Sequence, residues 1–143
     1  MGASGWSYFV PYQKDVGKAL EELRQQEFEA GRYNQLTYLW PEKRMPVSID
    51  ELMEWNETEG THSIIDVFWG VADEPGTDNF GMATPLSTDE LMEFFGTEQP
   101  THEMIVEHED ELMDFRSRWE ATYVIVYKDG QPDEIFFTGF SGD

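Results

Sequence analysis

The side chains of this chain that could do chemistry are thirty carboxylates and three histidines; there is no cysteine. The carboxylates recur in a pattern. Asp50-Glu51-Leu52-Met53-Glu54-Trp55 is followed by Asp89-Glu90-Leu91-Met92-Glu93-Phe94 and by Asp110-Glu111-Leu112-Met113-Asp114-Phe115. In each copy Leu and an aromatic residue stand three apart. Helical spacing puts that pair on one side and the carboxylates on the other. Outward carboxylates steer association with cationic proteins. Asp50, Glu51, Glu54, Asp89, Glu90, Glu93, Glu107, Asp110, Glu111 and Asp114 are therefore the expected partner-binding residues.

Plain helix chemistry explains much of the same pattern. Ser48-x-x-Glu51 and Ser87-x-x-Glu90 are capping boxes, in which serine and glutamate each satisfy a free amide. Acids in a first turn also complement the helix dipole. The first two copies match further, as Thr58-Glu59 with Thr61-His62 and Thr97-Glu98 with Thr101-His102. An old duplication would explain this, but the segments that follow diverge, which argues against a solenoid.

The histidines, His62, His102 and His108, equal a zinc ligand count, but no His-x-x-x-His or His-Glu-x-x-His spacing joins them. His108 and Glu111 share a helix face, and His108 also falls on an apolar stripe, where a hydrogen-bonded core histidine is the commoner outcome. On a strand, His62 and Asp66 would share a face roughly 13 Å apart. The loop from Asp73 to Asn79 is rich in oxygen ligands, but Pro75 stands where a calcium loop needs Asp or Asn. No nucleophile elbow and no phosphate-binding glycine loop occurs. Ser141 reads as part of a frayed end. No catalytic residue, cofactor or metal is expected.

Aromatic residues are the second resource. Trp6, Tyr8, Tyr33, Tyr38, Trp40, Trp69, Trp119 and Tyr123 exceed what a small core ordinarily uses. Tyr and Trp favour interfaces and pockets. Tyr33, Tyr38 and Trp40, in the loop from Arg32 to Pro46, are the expected pocket aromatics.

The elements that must hold these residues follow from periodicity. Trp6–Val10 alternates and ends at Pro11, so an edge strand is expected. Asp15–Ala30 has helical spacing, with Gly31 as its C-cap. A short helix follows Ser48 and ends by Gly60. Ser63–Val71 reads as an internal strand, with Phe80–Thr84 as its hairpin partner. A helix follows Ser87 up to Gly96. A last helix runs from Pro100 to about Trp119, with the stripe Ile105, His108, Leu112, Phe115 and Trp119. Thr122–Tyr127 is β-former throughout and reads as a central strand, turning at Asp129-Gly130 into Ile135–Phe140. The expectation is one α+β domain over residues 1–143, with a mainly antiparallel sheet of four to five strands and about four helices packed against it.

Charge then limits the function classes. The net charge is −21, and residues 45–115 carry nineteen acids and no Lys or Arg. Without a basic patch, binding to nucleic acid or to an anionic membrane is disfavoured. No apolar run reaches a membrane span, and the first residues lack a signal-peptide pattern, so a cytoplasmic location is expected. The leading expectation is a non-enzymatic acidic module that binds a basic protein partner. Its composition is like that of immunity-type inhibitors and nucleic-acid mimics, an analogy with no motif behind it. The alternatives are a small enzyme or ligand-binding domain with an aromatic-lined pocket and carboxylate or His chemistry, and an acidic surface that only suits high salt.

Overall fold

The computed structural model describes residues 4–76 and 79–142. Its sheet has four strands in the order β1-β4-β3-β2. These are β1 Gly5–Pro11, β2 Ala83–Pro85, β3 Ala121–Lys128 and β4 Gln131–Phe140. β1 and β3 flank β4 antiparallel, whereas β2 joins β3 in parallel. The architecture is α+β with a mostly antiparallel mixed sheet, and among the described residues five helices accompany it.

Strand alternation sorts the core into two faces. Trp6, Tyr8 and Val10 of β1 lie on the same side as Ile135 and Phe137 of β4 and Tyr123 and Ile125 of β3. Leu20 and Leu23 of helix α1, Val16–Ala30, cover that side. Asp15 caps α1 through the Lys18 amide, and Gly31 ends it in the left-handed conformation. On the opposite side Phe9, Val124, Val126 and Phe136 meet a second helical layer. That layer consists of α3 Thr88–Phe95, α4 His102–Glu107 and α5 Glu109–Met113. Ile105 and Leu112 are its fully buried anchors. β3 and β4 are thus covered on both faces, as the nearly unbroken β-formers of β3 require. Asp129 and Gly130 both take positive φ, which matches a two-residue primed hairpin turn.

Three expectations are corrected. Ser63–Val71 is not a strand. Ser63 caps a 3-10 turn at Ile64–Asp66, and Gly70 turns the chain with φ +88°. Its alternating apolar residues instead plug two clusters, Ile64 joining the sheet-facing core and Ile65 joining Trp40 and Leu52. The expected hairpin is therefore missing, and Val71 makes a single parallel bridge to Ala83. The long helix from Pro100 is two short ones that meet at His108, and Trp119 has left-handed φ. Ser141 is not frayed; it is fully buried, and its amide donates to the Ser4 carbonyl at 2.9 Å.

Candidate functional site

The first hexamer copy forms helix α2, Ile49–Trp55, capped by Ser48. Leu52 is fully buried against Ile65 and Trp40. On the outside, Asp50, Glu54 and Glu57 follow one another at helical spacing, one turn apart along a line that continues past the helix end. All three are exposed, and among the described residues none is held in a hydrogen bond or ion pair. They form one wall of a groove of about 520 Å³ whose other wall is Phe68, Trp69, Phe80 and Trp119.

Three separate segments supply those rings, and backbone hydrogen bonds tie the segments together. The Trp69 amide donates to the Gly81 carbonyl at 2.8 Å, the Gly81 amide to the Trp119 carbonyl at 2.7 Å, and the Trp119 amide to Phe140 of β4 at 3.2 Å. The groove wall is thereby hung from the sheet. Glycine is required beneath it. Gly81 has φ +73°, and a β-carbon there would lie 2.6 Å from Trp69 and 2.8 Å from Phe68. One on Gly142 would fall 2.1 Å from the Trp119 ring. Phe68 meets Phe80 and Trp119 edge-on, with centroids 5.6 and 6.2 Å apart. Packing the rings this way leaves Trp69 67% and Phe80 54% exposed.

Among the described residues one cation borders this groove. Arg24 of α1 is buried, and its Nε and Nη2 donate to the Ile65 carbonyl at 3.2 and 2.8 Å. Its Nη1 pairs with Glu21 at 3.2 Å, so an acid outside the groove already balances its charge. Among the described residues the three groove carboxylates have no such balance.

The other expected partner-binding residues separate in space. α2 packs on the α1 side of the sheet, whereas the second and third copies, in α3 and α5, pack on the opposite side. Glu90, Glu93 and Glu111 border a second groove there with Phe94, Phe115 and His108. Asp89, Glu107, Asp110 and Asp114 are exposed nearby in chain position. Two of the ten acids already hold hydrogen bonds, and a third, Glu111, faces His108. Glu90 closes its capping box on the Ser87 amide at 2.7 Å. Glu51 does not close the expected box. It turns instead to the Val47 amide and to Arg44. The absence of cations along residues 45–115 is therefore partly made good in space, because Arg44 reaches Glu51 and Arg116 lies over Phe115 at 5.1 Å.

The expected pocket aromatics behave differently from one another. Trp40 is buried, with its indole N–H on Asn56 Oδ1 at 2.7 Å. Tyr33 stacks on Phe28. Tyr38 is 80% exposed. Tyr38 and Trp40 border a depression with Arg44 and Met45, and Tyr33 does not. Sequence reasoning counted Trp69 and Trp119 as surplus aromatics but missed their convergence with Phe68 and Phe80. The available signal was Gly70 and Gly81 set close to bulky rings.

The histidines lie on three different partners. His62 has left-handed φ and stands 3.5 Å from Asn34 Nδ2. His102 stacks on Phe9 and meets Glu134 at 2.8 Å. His108 Nδ1 is 3.5 Å from Glu111 and has no hydrogen-bond partner among the described residues. Among the described residues no group of three or more His, Asp or Glu is placed to hold a metal ion. The loop from Asp73 to Asn79 includes Thr77 and Asp78, which lie outside the described residues.

One carboxyl is pushed strongly upward, and it is elsewhere. Asp66 is buried, and burial pushes its pKa up to about 6 against the opposing bonds from Thr61 and the His62 amide. The strand geometry expected for His62 and Asp66 is thus replaced by a tight turn that brings the His62 amide onto the carboxyl. Asp66 Oδ2 has no hydrogen-bond partner among the described residues, and Asp66 does not line the groove. No helix among the described residues is long and apolar enough to cross a membrane. Neither family models, nor curated protein sequences, nor solved structures gave a match to this chain.

Proposed function

We propose that this protein is a non-enzymatic interaction module for a basic protein partner, and that the contact is centred on the groove between α2 and the Phe68–Trp69–Phe80–Trp119 cluster. The observation that carries this reading is the pairing of exposed rings with three carboxylates that no other described residue engages. Aromatic surface supplies desolvated contact area, and uncompensated carboxylates supply steering and partner choice. A net charge of −21 disfavours a nucleic-acid backbone or an anionic membrane as the counterpart. We take the partner to be cytoplasmic.

The reading is tested by capture of basic proteins from the source cell at low salt, repeated at high salt, with wild type and two variants. In one variant Asp50, Glu54 and Glu57 become amides. In the other, Asp110, Glu111 and Asp114 on the opposite layer do. A defined basic protein lost with the first variant and kept with the second supports it. Equal loss in both, or no salt-dependent capture, contradicts it.

The second reading is a small-ligand site. The groove volume lies in the range of such sites. The two strongly shifted carboxyls, Glu51 and Asp66, both lie outside the groove lining, which favours binding over acid–base catalysis in it.

A further inference from the structure

We infer that the groove is a seat for an arginine side chain, with the guanidinium against Trp69 and the carboxylates of α2 as its counter-charge. This rests on the basic-partner reading and specifies what the partner inserts.

The fold already contains a guanidinium held in this way. Arg44 lies with its guanidinium carbon 5.0 Å from the Trp55 ring centroid. It also places Nη1 and Nη2 on the two carboxylate oxygens of Glu51, at 2.6 and 2.9 Å. Glu51 and Trp55 belong to the first hexamer, on a different side of α2 from the groove. The groove side of the same helix presents the same two ingredients in larger amount. Asp50, Glu54 and Glu57 stand in for Glu51, and the exposed Trp69 face stands in for Trp55.

Guanidinium suits this combination better than ammonium. It is planar, stacks on an aromatic face, forks onto carboxylates and is weakly hydrated, so it gives up water more readily. The arginine stem is apolar and fits against Phe80 and Met53, which also line the groove. Arg24 at the groove edge does not cancel the attraction, because Glu21 already pairs with it and three carboxylates outnumber it. Glu21 lies outside the groove lining.

The test uses three twelve-residue peptides that differ at four positions only, which carry arginine, lysine or the neutral isostere citrulline, spaced by glycine and serine. Each is titrated into the full chain while the indole N–H resonances of its five tryptophans are followed. The arginine peptide is expected to shift Trp69 and Trp119 and to leave the buried Trp6 and Trp40 in place. Trp69→Ala, and separately the pair Glu54→Gln with Glu57→Gln, should each weaken its binding about fivefold or more. The pair Asp110→Asn with Asp114→Asn removes equal charge from the opposite layer and should change it less than about twofold.

Lysine binding as tightly as arginine, or citrulline binding comparably, would overturn the arginine assignment and leave the basic-partner reading standing. So would unmoved Trp69 and Trp119 resonances, or equal loss in both acid pairs. Failure of the basic-partner reading appears separately, as the absence of any groove-dependent capture by the whole protein.

Discussion

Arg44 and Glu51 form a forked ion pair, with two nitrogen–oxygen distances of 2.6 and 2.9 Å, across the start of α2. Glu51 also accepts the Val47 amide at 2.9 Å, and Arg44 takes Glu42 as a second acid at 2.6 Å. The basic end of the Arg32–Pro46 loop is thereby fastened to the first acidic helix. The Arg44 guanidinium and the Val47 amide hold the Glu51 carboxyl down to about 2, and the two acids raise the arginine further.

Removing that partner should release the carboxyl. In Arg44→Gln, Glu51 is expected to titrate closer to an ordinary glutamate. A carboxyl depressed in the folded state stabilises it above the unfolded pKa, and that contribution is lost as pH falls toward 2. Both side chains reach solvent, so the loop should respond more than global stability does. Carboxyl-carbon NMR titration gives the shift, and hydrogen exchange at the Leu39 and Val47 amides gives the loosening. An unchanged Glu51 titration would show that Val47 alone holds it.

Asp66 has the opposite sign. Its folded-state pKa is raised to about 6, so the folded state holds its proton where the unfolded state does not. Its stabilising contribution is complete below about pH 4 and is lost as pH rises through 6. The change across that window is about 3 kcal/mol. Asp66→Asn keeps the shape and removes the titration. Urea unfolding from pH 4 to 7 should show the wild type losing stability relative to the variant. Parallel curves for the two proteins would refute this.

The aromatic wall depends on missing β-carbons. Gly81→Ala puts a methyl group within contact distance of Trp69 and Phe68, at a backbone angle that L-residues adopt at a cost. A loss of about 1–3 kcal/mol is expected, together with displacement of the Trp69 indole resonance. Gly142→Ala should move the Trp119 resonance through a different contact. If Gly81→Ala left both stability and the Trp69 resonance unchanged, the rings would not rest on that backbone.

The hexamer copies are not equivalent in the core. Leu52 is fully buried, and Leu91, at the same position of the second copy, is only half-buried. Leu52→Ala should cost about 2–5 kcal/mol, and Leu91→Ala less. Leu112 of the third copy is as buried as Leu52 and should behave like it. Equal effects of Leu52→Ala and Leu91→Ala would argue for three interchangeable units.

Local chemistry made part of this protein legible in its sequence. Alternation marked Trp6, Tyr8 and Val10 as one face of β1, and Pro11 marked the end of that strand. Asp15 and Gly31 bounded α1, Ser87 and Glu90 closed a cap, and Asp129-Gly130 turned the hairpin. Each of these depends on residues a few positions apart, where period and capping carry the information.

Tertiary structure decided the rest. Ser63–Val71 has the alternation of a strand. Its residues had to fill two clusters at once, and the Ser63 cap and Gly70 made a turn cheaper than an extended chain there. The three acidic hexamers look alike in sequence, yet packing sends one to the α1 side of the sheet and two to the other. The groove unites residues from α2, Phe68–Trp69, Phe80 and Trp119, and no period links those positions. Helical period in the sequence determined that the carboxylates of the hexamers would face away from the core. Which carboxylates meet a cation, and which meet bare aromatic rings, depended on long-range contacts that only the folded chain makes.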